Sequence, residues 1–420
     1  MPTLIRRNIA PWVDDLLSHF PVVVLQGGRQ VGKSTLAGLL AEKRGGRVVT
    51  LDNDNARAAA TADPAGFLAL NVPSSAPGPL VIDEIQRAPG LILAIKESVD
   101  ADRRPGRYLL TGSADLHRIE RTPDSLAGRS VSVNLGGFSQ GELAGVSEDF
   151  VSAVVDGAVP RPSTTDRNGY GSVLAAGSFP ELRVLPERMR SVWLDAYVSS
   201  LVNRDIAELM RLTDPARVTS VLRLLAANQA GELVRARLSK QTSIPESTLT
   251  SYIPLLRSLY LIDELPPWTA NLARREIGRP KAFLPDSALA MHLSGVTQGQ
   301  LATNSEYFGQ LLEGFVAAEL RRQQSWSNAD FRLYSYRNSN DREVDCLVEL
   351  GDGRIIAIEV KASSTLRSSH FGHLAFLRDK LGDRFIAGIV LSTAQDPVPF
   401  GDRLWGMPVS ALWELGTAGG

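Results

Sequence analysis

The stretch Gly27-Gly28-Arg29-Gln30-Val31-Gly32-Lys33-Ser34-Thr35 holds the residue types that bind a nucleoside triphosphate. From Gly27 to Ser34 it matches G-x-x-x-x-G-K-[ST] at every fixed position. Gly27 and Gly32 allow backbone conformations that a side chain would block. The N–H groups of the loop and of the helix start behind it form an anion site. Lys33 then reaches the terminal phosphates, and Ser34 offers its hydroxyl to Mg²⁺. ATP and Mg²⁺ are the expected ligands. A second run, Leu80-Val81-Ile82-Asp83-Glu84, ends three apolar residues in two carboxylates. Asp83 suits Mg²⁺ held through water, and Glu84 suits polarising the attacking water.

Further candidates follow. Thr111 and Ser113 end the apolar run Tyr108-Leu109-Leu110, where a γ-phosphate sensor would sit, although a plain strand-end turn reads the same way. Arg129 is an arginine finger supplied to a neighbouring copy by oligomerisation, or else a surface ion pair; Arg121 is a weaker candidate for that role. Arg6 and Arg7 face a base or ribose, or solvent. Near the other end of the chain stand Glu343-Val344-Asp345-Cys346-Leu347-Val348-Glu349-Leu350, a Gly-Asp-Gly turn, and Arg354-Ile355-Ile356-Ala357-Ile358-Glu359-Val360-Lys361. A three-residue hairpin loop pairs 350 with 354, and therefore 345 with 359. Strand alternation groups Val344, Cys346, Val348 and Leu350 on one face and gathers Asp345, Glu359 and Lys361 on one side of the sheet. Two carboxylates and a lysine so placed suit Mg²⁺ binding and phosphodiester cleavage. They equally suit cross-strand ion pairs on an exposed hairpin.

The elements that must position these residues are legible in outline. Val22-Val23-Val24-Leu25 before the first loop, and the two later apolar runs, read as strands of a parallel sheet buried on both faces. Residues 147–176, rich in Val, Ala, Pro, Ser and Gly, read as a linker or insertion. Trp193, Tyr197 and Leu201 share a helical face. Residues 217–267 read as a winged helix: helices over 218–227 and 233–240, a third capped by Ser243-Ile244-Pro245-Glu246, and a strand at 259–265. Pro254 is expected to kink or shorten the third helix. Its polar face carries Ser247, Thr248, Thr250 and Ser251, with Arg235, Arg237, Lys240 and Arg257 around it. Gln310 to Leu320 read as a further helix, which carries Glu313.

The chain has 420 residues, 44% hydrophobic and 22% charged, with net charge −1. That length implies two or three domains, and the charge excludes a global basic field for nucleic acid. Cys346 is the one cysteine, so an intrachain disulfide and a Cys-based zinc cluster are excluded. No apolar run is long enough to span a bilayer, and a cytoplasmic protein is expected.

Gly-Gly-Arg-Gln-Val-Gly-Lys-Ser-Thr, Val-Ile-Asp-Glu-Ile-Gln, Leu-Thr-Gly-Ser and Leu-Ala-Gly-Arg, in this order, resemble the bacterial and archaeal AAA-type ATP-binding proteins with a C-terminal domain of unknown function. The hairpin with Asp345, Glu359-Val360-Lys361 and the helical Glu313 resembles the PD-(D/E)XK nucleases, with Val344 where a proline often stands. The resemblances imply an α/β fold class in three parts: a P-loop AAA-type parallel sheet with helices over 1–146, helical and winged-helix parts over 177–270, and a small restriction-endonuclease-like α/β domain over 271–420. They imply metal binding by Ser34, Asp83, Glu313, Asp345 and Glu359. They also imply a DNA partner for an ATP-driven nucleic-acid-processing protein. A nucleotide-dependent switch with a protein partner and an inactive nuclease-like domain is the alternative.

Overall fold

The computed structural model describes residues 4–72, 78–112, 126–206, 215–269, 278–338 and 342–415. It divides into two compact units, one of Thr3–Phe138 with Ser258–Tyr260, the other of Ser139–Arg257 and Leu261–Gly420 together with the first two residues.

The first unit is a five-stranded parallel sheet. Its strands are β1 (Val22–Gln26), β2 (Arg47–Thr50), β3 (Leu80–Asp83), β4 (Tyr108–Gly112) and β5 (Ser130–Asn134), in spatial order β2-β3-β4-β1-β5. The three central strands are buried at every position, whereas edge strand β2 is largely exposed and edge strand β5 only partly buried. That is why the central runs are unbroken apolar sequence: helices cover both faces and leave no wet side to alternate toward. One layer is visible in Val22, Val24, Leu80, Ile82, Tyr108 and Leu110, which pack on Leu91, Ile95 and Val99 of helix Leu91–Ala101.

The second unit holds two sheets. The smaller joins β6 (Gly231–Glu232), β7 (Asp263–Leu265) and β8 (Lys281–Phe283) in the antiparallel order β6-β8-β7. Helices Pro215–Ala227, Arg235–Thr242 and Glu246–Ser258 precede or connect these strands, which is winged-helix order. The boundary expected at 270 falls inside the connection from β7 to β8, so the winged-helix sheet is completed only by residues 281–283. Helix Glu246–Ser258 runs through Pro254 instead of ending at it. The carbonyl freed by the missing N–H belongs to exposed Thr250, where water can take it.

The larger sheet has β9 (Phe331–Arg337), β10 (Glu343–Leu350), β11 (Ile355–Lys361), β12 (Phe385–Ser392), β13 (Val398–Pro399) and β14 (Leu404–Pro408), in order β13-β14-β12-β11-β10-β9. β10 and β11 form the expected hairpin, with Cys346 opposite Ile358 and Glu349 opposite Ile355. Strict alternation fails at one place. Val344 and Leu347 pack in the same apolar cluster, with Phe371, Leu374 and Leu377, because a bulge separates them.

The stretch 147–176 is not a linker. Helices Phe150–Val155 and Arg167–Ala176 lie in it, and Phe150, Tyr170 and Leu174 are fully buried. Asp149 caps the first by accepting from Ser152 N–H and also accepts from Ser327 Oγ and Asn328 N–H. The Tyr170 hydroxyl accepts from Ser410 N–H. Much of the Val and Ala content read as a linker or insertion is the inward face of packed helices.

Candidate functional sites

The phosphate loop joins β1 to helix Lys33–Arg44. Gly27 has φ +151°, and a Cβ there would meet the Leu135 carbonyl oxygen at 2.1 Å. Gly32 has φ +97°, in the left-handed region. Both positions therefore require glycine. Lys33 is buried and donates to the carbonyls of Gly27 at 2.9 Å and Gly28 at 2.6 Å. Burial pushes its pKa down to about 8, against the pull of Glu84 and Asp83.

Parallel strands bring Asp83 to the same sheet edge, at the end of β3. Its Oδ1 accepts from Ser34 Oγ at 2.7 Å and from Thr111 Oγ1 at the end of β4; its Oδ2 accepts from Thr50 Oγ1 at 3.3 Å. Ligands of open α/β sheets bind at such carboxyl-terminal strand ends. Ser34 and Asp83, in contact and turned to one point, fit a Mg²⁺ ion: a hard cation with hydroxyl, carboxylate and water oxygens. Glu84 follows with φ +59°, its N–H donating to Thr111 Oγ1 at 3.2 Å, and its carboxylate accepts from the Gln86 amide. Such a backbone conformation is sparsely populated and concentrates at functional sites. Gln30, in the loop itself, also has φ +59°. Arg29, Val31 and Thr35 lie in or directly behind the same loop. Ser113 and Arg121 lie outside the described residues.

Arg129 makes a bidentate pair with Asp100, Nε to Oδ1 and Nη2 to Oδ2, both at 2.8 Å. In this arrangement its guanidinium is engaged within its own unit. Arg7 faces neither solvent nor an open ligand position. It is buried, donates to Val31 O and Gly136 O at 2.8 Å each and to Gly137 O at 3.3 Å, and lies over the Phe138 ring. It holds the loop from behind. Tyr260, distant in sequence but part of this unit, donates to Gln26 Oε1, and its hydroxyl also lies 3.3 Å from Asn134 Oδ1. No sequence signal marks Tyr260. Arg7 carries one: an arginine pair just ahead of the helix that leads into β1.

In the second unit Asp345, Glu359, Lys361 and Glu313 do come together. Lys361 Nζ donates to Glu359 Oε1 at 2.6 Å, and Asp345 Oδ2 accepts from Val360 N–H at 2.9 Å. A fifth residue is also present. Lys281, on β8, places its Nζ 2.6 Å from Glu343 Oε1, 3.0 Å from Asp345 Oδ1 and 4.0 Å from Glu313 Oε2. Burial and Asp345 push Glu313 up to about 8 and Glu359 up to about 7. Among the described residues no group of three His, Cys, Asp or Glu side chains is arranged to hold a metal ion. A divalent cation does not fit beside Asp345 while an ammonium occupies that oxygen. Sequence spacing does not join Lys281 to the cluster, because strand pairing of β8 brings it there, although a lysine opening the apolar run Ala282-Phe283-Leu284 is a signal.

No helix among the described residues is long and apolar enough to cross a membrane. The AAA domain family matches residues 19–144, a domain of unknown function (DUF8612) matches 167–300, and another (DUF4143) matches 308–412. Uncharacterized proteins of Mycobacterium bovis and Mycobacterium tuberculosis are each 28% identical over 414 residues, covering 98% of this chain and 85% of theirs. Among solved structures, a Walker-type ATPase of Pyrococcus abyssi is 17% identical, covers 69% of this chain and 96% of that one, and has a TM-score of 0.45. AMPPCP-bound DnaA of Aquifex aeolicus is 12% identical, with 59% and 85% covered and a TM-score of 0.29. The N-terminal region is an AAA domain with a P-loop ATPase fold, and the C-terminal region carries a domain of unknown function, DUF4143.

Proposed function

We propose that the protein binds and hydrolyses Mg²⁺-ATP and uses the cycle to act on DNA. The observation that carries the ATPase half is the meeting of Lys33, Ser34, Asp83 and Thr111 at one sheet edge. Lys33 leaves the Gly27 and Gly28 carbonyls for phosphate oxygens. Ser34 and Asp83 would hold the cation, which would supply neutralisation of phosphate charge. Glu84 accepts the proton of the attacking water. Arg129, once released from Asp100, completes the charge stabilisation in a neighbouring copy.

The DNA half is supported by the winged-helix order and by surface chemistry. Ser247, Thr250 and Ser251 are exposed on helix Glu246–Ser258, and Arg235, Arg237 and Lys240 are exposed on the helix before it. Small hydroxyl side chains flanked by cations suit groove and phosphate contacts. The test is ATP turnover with and without duplex, single-stranded and branched DNA, alongside gel shifts. Turnover that ignores every DNA, with no shifted species, overturns this half.

Lys281 favours a second reading of the C-terminal sheet. In it ATP switches the protein between states and the nuclease-like domain does not cut. A cleavage assay in Mg²⁺ decides: cutting lost in Asp345→Asn overturns the second reading.

A further inference from the structure

We infer that Lys281 is the built-in counter-ion of the C-terminal acidic cluster and stands where a divalent cation would otherwise bind. The inference rests on the second, non-cutting reading and adds the reason for it.

The lysine comes from the winged-helix sheet and the carboxylates from the larger sheet and helix Ser305–Gln323, all within one unit. Its side chain is only 7% exposed. A lysine removed from water to that extent keeps its charge only where carboxylates replace the lost hydration. Glu343 and Asp345 do so at hydrogen-bond distance, with Glu313 behind them. Asp345 is the carboxylate a cation would have to share with Glu359. Its Oδ2 takes Val360 N–H, and its Oδ1 holds the Lys281 ammonium, a cation that a divalent ion would have to displace, unlike the neutral hydroxyls on Asp83. Glu359 gives one oxygen to Lys361, and its other, Oε2, is buried without a partner among the described residues. One unpartnered oxygen does not make a shell for Mg²⁺, which requires near-octahedral coordination. A cation enters only if the ammonium leaves.

Removing the ammonium should therefore create the metal site that the wild type lacks. The experiment follows thermal unfolding of the full chain without nucleotide, in EDTA and in MnCl₂, for the wild type, Lys281→Met, Lys281→Arg and Asp345→Asn. Neither the wild type nor Lys281→Arg should show an Mn²⁺ shift that Asp345→Asn removes; a shift that survives Asp345→Asn belongs to Ser34 and Asp83. Lys281→Met should show an upward shift with Mn²⁺ that the double variant with Asp345→Asn loses. A wild-type Mn²⁺ shift that Asp345→Asn abolishes overturns the inference, and so does a folded Lys281→Met with no Mn²⁺ response. If Lys281→Met does not fold, the wild type against Asp345→Asn still decides. Metal bound at Asp345 without DNA cleavage sinks this inference alone, whereas Asp345-dependent cleavage sinks the second reading with it.

Discussion

Lys33 and Lys281 are both buried lysines beside carboxylates, and their surroundings drive them in opposite directions. Burial lowers Lys33 to about 8, and Glu84 and Asp83 only partly offset it. Burial acts the same way on Lys281, but Asp345, Glu313 and Glu343 outweigh it and hold its pKa above the ordinary lysine range. The geometry explains the contrast. Lys33 donates to two neutral carbonyls of its own loop, while Asp83 is engaged by Ser34, Thr111 and Thr50. Lys281 bonds carboxylates directly. A lysine that must receive phosphates has no fixed counter-ion among the described residues, whereas a lysine that ties two sheets together brings its counter-ions with it.

The largest expected difference between the two is in activity. Lys33→Ala should lower ATP turnover by at least about 10²–10³-fold, the usual loss when one preorganised donor to developing charge is removed. Lys281→Met should leave turnover per folded molecule unchanged. An equal loss in both variants, measured in a coupled phosphate-release assay, breaks the contrast.

Stability should reverse the order. Lys281→Met strands buried carboxylates and should cost about 3–5 kcal/mol in denaturant unfolding. Lys33→Met removes a charge that burial disfavours and replaces it with an apolar stem of similar length, so the first unit should be as stable as before or more so. A large loss for Lys33→Met would mean that its two carbonyl bonds outweigh the desolvation of the ammonium.

A third expectation concerns protons. At about pH 8 a substantial fraction of Lys33 is neutral in the nucleotide-free protein. Phosphate oxygens favour the ammonium, so Mg²⁺-ATP binding should take up part of a proton, more at about pH 8.5 than at pH 7. Calorimetry in two buffers of different ionisation enthalpy reads this directly. Uptake that is absent, or equal at both values, contradicts the depressed pKa.

Much of this contrast was legible in the sequence for the first unit and little for the second. The phosphate loop, Asp83 and the buried strands are local: residue type and spacing within one strand–loop–helix carry the chemistry. Even there the sequence does not show what Arg7 does, because its three carbonyl partners include Gly136 and Gly137, far along the chain. In the second unit the hairpin register was readable from a three-residue turn, and the convergence of Asp345, Glu359 and Lys361 followed from it. The bulge that puts Val344 with Leu347 was not, since alternation has no marker for an inserted residue. Nor was Lys281, whose role exists only because β8 pairs with β6 and β7 and so delivers its side chain to another sheet.

The smallest effect concerns pH and separates the two units most finely. Burial and Asp345 raise Glu313 to about 8 from an ordinary value of 4.5, against the opposing charge of Lys281. The folded state thus binds a proton that the unfolded state has released between those values. The stability this group contributes is fully present below about pH 4.5 and is lost as pH rises through 8. Glu359, raised to about 7, adds to the same slope over a narrower window. Glu313→Gln fixes the neutral form, so its difference from wild type in denaturant midpoint should grow in its favour between pH 5 and pH 8.5. Lys281→Met should steepen the wild-type slope, because without the ammonium the carboxylates repel one another unopposed, and protonation becomes their remaining relief. Glu313→Gln and wild type running parallel across that range would mean that Lys281 already neutralises the cluster, and that Glu313 is ionised in the fold at every pH tested.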